Sequence, residues 1–598
     1  MQFKPMEPLP ASEISKAFCE VAQKSQDMIN GFFKGHVPAL PFYDDMGTSR
    51  AFCELTARML ANPFKLAEVQ VRLWQEYLRL WQGSVLRMWG QDPQPVAEPA
   101  QGDRRFSHED WEDNLVFDFI KQSYLIASRA INESVAQVEG LDEETQKKAS
   151  FFTRQYTDAL SPSNFFLTNP EVLRATVESR GQNLVKGLGN LLEDLDRGQG
   201  NLRITMTDLD AFKLGENVAT TPGKIIYQND LMQLIQYEPA TREVFERPLL
   251  IVPPWINKYY ILDLRENNSF IKWCVDQGHT VFVISWVNPD ARYAATKFED
   301  YLMKGPMAAL DAIEKATGES KVNAMGYCLG GTLLACTLAH MAAKKDERIG
   351  SATFFASLLD FSEPGELGVF IDEDNIDSLE ARMRERGYLA GHEMAEAFNM
   401  LRANDLIWSF VVNNYLLGKE PIPFDLLYWN SDSTRMPASM HGFYLRKMYL
   451  ENRLVERGGI IVAGVALDLT KIKTPSYFLS TIEDHISPWK STYAGTRLFS
   501  GPVKFVLAGS GHIAGVINPP IANKYKHWTN GSELPEDPAD WLAEAKPHDG
   551  SWWPDWQKWV AKRAGEKVPA RIPGKGKLKA IEDAPGSYVK LRLDAKSN

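Results

Sequence analysis

The chain has 598 residues, 44% of them hydrophobic and 24% charged, an ordinary balance for a globular protein of about two to four domains. A formal net charge of −11 excludes generic nucleic-acid binding. Five scattered cysteines (Cys19, Cys53, Cys274, Cys328 and Cys336) make no C-x-x-C pair, which argues against a zinc or disulfide scaffold and for a reducing cytoplasm.

The chain begins Met-Gln-Phe-Lys and soon meets Pro5, Pro8 and Pro10, without the apolar core of a signal peptide. No run reaches the ~18 apolar residues of a membrane span. Residues 11 to about 90 pattern as helix. From Phe64 to Trp89, Leu66, Val69, Leu73, Tyr77, Leu80 and Met88 recur at helical spacing. Val71, Trp74, Leu78, Trp81, Val85 and Leu86 widen that face until it needs a cover. Three prolines within 91–102 predict a linker. Helical patterns return over 114–138 and 170–197, with turn and cap residues at 161–164 and 168–170.

After residue 200 short apolar runs alternate with helical segments. The runs are 248–252, 280–286, 321–325, 351–356, 476–482 and 503–507. They are mostly apolar rather than alternating, as strands buried on both faces of a parallel sheet are. This predicts a doubly wound α/β domain. The alternation lapses over 359–471, which reads as a cap inserted over the sheet. The expected organisation is a helical N-terminal domain over 1–205, of which the first ~100 residues could be flexible, and an α/β catalytic domain over 206–598.

The sharpest motif is Gly326-Tyr327-Cys328-Leu329-Gly330-Gly331, between an apolar strand and the apolar helix 333–343. This is the context of a nucleophile elbow, in which glycines allow strand and helix to approach around a strained residue. Cys328 would then stand above the strand ends with a helix N-terminus favouring its thiolate. Cys336 and Cys274 lie in apolar helical surroundings and read as core.

A thiol nucleophile needs a histidine base oriented by a carboxylate, and in α/β-hydrolases the order is nucleophile, acid, histidine. Strand 476–482 leads into Asp484, and strand 503–507 leads into His512. His485 is the rival base, but it belongs to the acid's loop, and Glu483 is the weaker rival acid. His279 reads as a packing or turn residue. The remaining histidines lack a strand-end context. For the oxyanion hole the expected donors are the N–H of Leu329 and one from the loop 252–257. Pro253 and Pro254 carry no N–H there, which leaves Trp255 or Ile256.

Four blocks carry a resemblance over most of the chain: 251–260 (IVPPWINKYY), 326–331 (GYCLGG), 484–489 (DHISPW) and 511–520 (GHIAGVINPP). They resemble the polyhydroxyalkanoate synthase family, as do Asp103-Arg104-Arg105-Phe106 and Trp429-Asn430-Ser431-Asp432. Dienelactone hydrolases have a similar elbow but lack the helical half and the cap. The resemblance implies an α/β-hydrolase fold with Cys328, Asp484 and His512 as triad. It further implies polymerisation of (R)-3-hydroxyacyl-CoA through an acyl-cysteine thioester. No cofactor or metal is expected, CoA being the leaving group. Tyr327 and Leu329 beside the cysteine are similar to class I, which implies short-chain 3-hydroxybutyryl-CoA and a homodimer. The implied location is cytoplasmic, on granules of the growing polyester and among granule-associated proteins. A thioesterase or polyester hydrolase on the same triad, and a non-catalytic granule scaffold, are the alternative readings.

Overall fold

The computed structural model describes residues 48–531 and 533–592. Cys19, His36 and the part of the N-terminal expectation that falls on 1–47 lie outside the described residues. Two compact units are present: 48–208 together with 398–422, and 209–397 together with 423–592. Residues 398–422, inside the stretch expected as cap, thus group with the helical unit.

The helical unit is built from Thr48–Ala61 (α1), Pro63–Met88 (α2), Leu115–Ala136 (α3), Glu143–Ala159 (α4), Pro170–Glu178 (α5) and Gln182–Arg197 (α6). Local capping chemistry starts most of them. The side-chain oxygens of Asn62, Asn114, Asp142 and Asn169 each accept an N–H of the first turn. The expected continuous pattern over 170–197 is two helices, because Gly181 at φ 85° breaks it. The linker 91–102 is free of helix. On α2, Leu80 is buried and Tyr77 donates to the Ser123 carbonyl at 3.1 Å, while Phe64, Val71, Trp74, Leu78 and Trp81 are exposed. The family-like block around Arg105 is a structural knot: its guanidinium holds Asp103 at 2.8 Å and Asp158 at 3.0 Å, and Phe106 packs edge-on to Trp111. Residues 398–422 join this unit through Tyr415, whose hydroxyl bonds Asp194 at 2.6 Å, and through Gly187, which lies directly against the Tyr415 carbonyl.

The second unit holds an eleven-stranded sheet. In chain order its strands are Gly223–Gln228 (β1), Met232–Tyr237 (β2), Leu249–Val252 (β3), Val281–Trp286 (β4), Val322–Tyr327 (β5), Ile349–Phe355 (β6), Ser476–Thr481 (β7), Val503–Ala508 (β8), Lys526–Thr529 (β9), Lys546–Asp549 (β10) and Glu582–Asp583 (β11). The spatial order is β10-β9-β8-β7-β6-β5-β3-β4-β2-β1-β11. The six central strands, β4 to β8 in that row with β3 among them, pair in parallel, and the flanking pairs are antiparallel. These six are the apolar runs of the sequence, within two residues. They are buried on both faces because helices cover both sides. One cover is Leu329–Lys344 (α7), with thirteen of its sixteen residues buried. Each leucine such as Leu333 or Leu334 stabilises the fold by about 1.5–3 kcal/mol through that burial. The other face is filled by Trp552, Trp553 and Trp556 at the start of helix Trp553–Ala561.

Candidate active site

The elbow is built by strand, turn and helix together. Cys328 leaves β5 at φ 52° and ψ −123°, a left-handed conformation that costs about 1–3 kcal/mol for a non-glycine residue. Its N–H is held by the Phe355 carbonyl of β6 at 2.8 Å. A methyl group on Gly326 would sit 2.4 Å from the Gly331 Cα, and one on Gly330 would sit 2.0 Å from the Val252 oxygen. The crossing of β5, α7 and β3 therefore depends on hydrogen in place of side chains. Cys328 is partly accessible and touches the hydrophobic cores on both sides of the sheet. Cys274 and Cys336 are fully buried, and burial pushes the Cys336 thiol up to about 12 and that of Cys274 well above the ordinary range.

The loops after β7 and β8 bring Asp484 and His512 together. His512 Nδ1 lies 2.7 Å from Asp484 Oδ2, with both side chains almost wholly buried. The other carboxylate oxygen accepts the N–H groups of Ile486 at 2.9 Å and Ser487 at 2.8 Å, and Thr481 Oγ1 donates to Oδ2 at 3.0 Å. Four donors thus fix a carboxylate that can only accept. Burial alone would lower the His512 imidazole. The charge of Asp484 and then the thiol of Cys328, which is also its hydrogen-bonding neighbour, outweigh it and raise the imidazole well above the usual range. His512 is further held by Tyr327, whose hydroxyl donates to the His512 carbonyl at 3.0 Å and whose ring stacks on the imidazole at 5.6 Å.

The other expected residues fall around this group. Asp484 is directed to His512, while His485 is half-buried on the acid's loop and Glu483 is exposed. His279 is a packing residue: its Nε2 lies 2.9 Å from Gln557, and burial lowers it to about 4. Leu329 opens α7. Trp255 and Ile256 lie on the loop after β3, whose carbonyls are tied down: Pro253 by Trp286 Nε1 at 2.9 Å, Trp255 and Ile256 by the Thr434 hydroxyl, and Lys258 by Trp429 Nε1 at 2.7 Å. Among the described residues, no protein acceptor takes the N–H of Leu329 or Ile256.

Reading the sequence did not find Thr481, Thr434, Tyr444 or Tyr449. Tyr444 and Tyr449 stack edge-on with Phe361, centroids 4.9–6.1 Å apart, within electrostatic reach of Cys328. Within the stretch expected as cap, Phe361 joins this cluster. Tyr415 belongs to the helical unit, and Tyr428 and Trp429 pack beside the β3 loop. Among the described residues, no three or more His, Cys, Asp or Glu side chains converge as metal ligands, and no helix is long and apolar enough to cross a membrane.

Comparison with known proteins decides the family. Residues 102–274 match a profile described as the poly-beta-hydroxybutyrate polymerase (PhaC) N-terminus. A poly(3-hydroxyalkanoate) polymerase subunit PhaC from Rhizobium meliloti is 54% identical over 89% of this chain and 87% of its own. The chain belongs to the poly(3-hydroxyalkanoate) polymerase family. A poly(3-hydroxyalkanoate) polymerase of Methylorubrum extorquens is 52% identical over 91% of this chain and 90% of its own. The PhaC subunit of Cupriavidus necator is 44% identical over 89% of each. Residues 274–519 match the alpha/beta hydrolase fold, in agreement with the sheet order and the elbow. The enzyme is thus an acyltransferase carried on a hydrolase-type scaffold.

Proposed function

We propose that the enzyme polymerises short-chain (R)-3-hydroxyacyl-CoA through an acyl-Cys328 thioester. The observation that carries this reading is the strained Cys328 beside a His512 that is bonded to a fully buried Asp484. In the first step the Cys328 thiolate attacks the thioester carbonyl of the substrate. The new C–S bond forms as the CoA thiolate leaves, and His512 supplies its proton to that sulfur. One thioester replaces another, so the step is nearly balanced in free energy, which suits a cysteine where hydrolases use serine. In the next step the 3-hydroxyl of another unit attacks the acyl carbon, His512, oriented by Asp484, takes the hydroxyl proton, and the bond from the acyl carbon to Cys328 Sγ breaks to return the thiolate as the ester C–O bond forms.

Negative charge develops on the carbonyl oxygen in both steps. The Leu329 N–H at the start of α7 is one donor for it. The second is assigned to Ile256. The Trp255–Ile256 peptide is trans, so its N–H points opposite to its carbonyl. Thr434 holds that carbonyl, and the Ile256 N–H is thereby directed away from Thr434. Water is the competing nucleophile. The packing of Phe361, Tyr444 and Tyr449 beside Cys328 supports its exclusion.

The test is CoA release from (R)-3-hydroxybutyryl-CoA by the parent and by Cys328→Ala, with the product weighed as polymer or assayed as free acid. Release with polymer from the parent and none from the variant is the expected outcome. Free acid alone would make the enzyme a thioesterase, and absence of release from the parent would favour a scaffold or another substrate.

A further inference from the structure

The family-like segment Trp429–Asp432 has no part in the triad, yet its carboxylate is the centre of a buried charge cluster. The Asp432 side chain is fully buried, Lys258 is 3% exposed and Arg592 14%. Lys258 Nζ lies 2.6 Å from Asp432 Oδ1, Tyr260 donates to Oδ2 at 2.9 Å, and Arg592 Nη1 stands 3.6 Å from the same oxygen. The guanidinium also lies over the Tyr428 ring at 4.4 Å. Two cations and one anion out of water cost several kcal/mol of desolvation that their mutual attraction rarely returns in full. Hydrophobic residues would fill the same space at less cost. The cluster therefore calls for a role other than stability.

Geometry supplies one. Lys258 lies two residues beyond Ile256, and its backbone carbonyl is fixed by Trp429. Its ammonium reaches Asp432 and also the backbone carbonyl of Leu591 at 2.8 Å, which Asn288 Nδ2 approaches at 3.4 Å. Residues 588–592 arrive there by a defined route. After β11, the Tyr588 hydroxyl bonds the Asn229 carbonyl at 2.7 Å, Val589 is buried, and Leu591 and Arg592 close onto the cluster.

We infer that Lys258, Asp432 and the C-terminal residues Leu591 and Arg592 form a positioning clamp that holds the loop 253–260, and with it the Ile256 N–H, in the geometry required by the reaction. The inference rests on the assignment of Ile256 given above. The clamp adds no contact to the substrate. It acts by keeping one donor in place without reorganisation, so its loss falls on the transition state rather than on binding.

The experiment compares the parent with a chain ending at Lys590, with Arg592→Met and with Arg592→Lys, in full-length protein otherwise. Hydrogen exchange of the peptide spanning 253–262 is read beside that of β7 and β8, and kcat and KM for (R)-3-hydroxybutyryl-CoA are measured in parallel. The clamp predicts exchange at least tenfold faster in 253–262 with β7 and β8 unchanged in the first two variants. It also predicts kcat lowered about 10- to 100-fold with KM within twofold, and partial recovery in Arg592→Lys. Unchanged exchange, or a raised KM with parental kcat, would overturn it. If the truncation failed to fold, Arg592→Met would carry the same test. If the parent released no CoA, the polymerase reading would fail, and the exchange data would still decide the clamp.

Discussion

Replacing Asp484 with asparagine tests the candidate dyad most directly. Oδ1 accepts the N–H groups of Ile486 and Ser487 in the parent, and the asparagine carbonyl can take both over. The amide NH2 must then face His512 Nδ1, where Oδ2 stood at 2.7 Å. An NH2 is a donor, so Nδ1 must accept and the imidazole proton moves to Nε2. A histidine protonated at Nε2 and deprived of its anion can no longer take a proton at that nitrogen. Loss of one buried charge-assisted hydrogen bond is worth about 1.5–3 kcal/mol, or about 10- to 150-fold in rate. The wrong tautomer adds to this, and in the serine-protease triad the same exchange costs ~10⁴. We expect CoA release from (R)-3-hydroxybutyryl-CoA to fall at least 100-fold. A second reading comes from the imidazole itself. The Asp484 charge is the largest influence that raises it, so its removal lowers the imidazole from its parental value. The His512 imidazole, followed by its NMR signals over pH, should then titrate below its parental value. A variant with more than a third of parental turnover and an unchanged His512 titration would refute the reasoning.

Three further outcomes follow from neighbouring contacts. Tyr327→Phe removes the hydroxyl that bonds the His512 carbonyl and should slow CoA release about tenfold at unchanged KM; a normal rate would mean that the stacked ring alone positions the imidazole. Gly330→Ala places a methyl group 2.0 Å from the Val252 oxygen and should yield insoluble or grossly destabilised protein, checked by expression and thermal unfolding. His441 is buried with both ring nitrogens unpartnered among the described residues and is lowered from 6.5 to about 4. Its folded value lies below its unfolded one, so the stability it permits is present above pH 6.5 and is lost as pH falls toward 4. The loss is about 3 kcal/mol at most. His441→Phe should flatten the dependence of urea unfolding on pH between 6.5 and 4, and an unchanged slope would contradict this.

The six central strands and the elbow were legible because each depends on local pattern. A fully buried strand is a short apolar run, and an elbow needs glycine at fixed offsets from the nucleophile. The edge of the sheet was not legible. β1 and β2 carry Lys224, Gln233 and Gln236 among apolar residues, which blurs the signal. Gln233 is nonetheless fully buried, because Glu582 and Ser587, about 350 residues away, supply its partners. β9, β10 and β11 are short and polar, and antiparallel pairing with a neighbour makes them strands.

The sequence by itself determined the residues of the candidate triad, since strand-end position and chain order select Asp484 and His512 from many acids and ten histidines. It also determined which glycines the elbow needs, because those constraints act within a few bonds. Tertiary structure decided what lies far apart in the chain. It placed Thr481 and two backbone N–H groups on Asp484, Tyr327 on His512, and Asp432 between Lys258 and Arg592. It also grouped 398–422 with the helical unit and, among the described residues, left one face of α2 exposed. The physical reason is that strand and turn propensity are set by neighbours in sequence. The partner of a buried polar group is set by whichever distant segment can reach it, and periodicity carries no record of that.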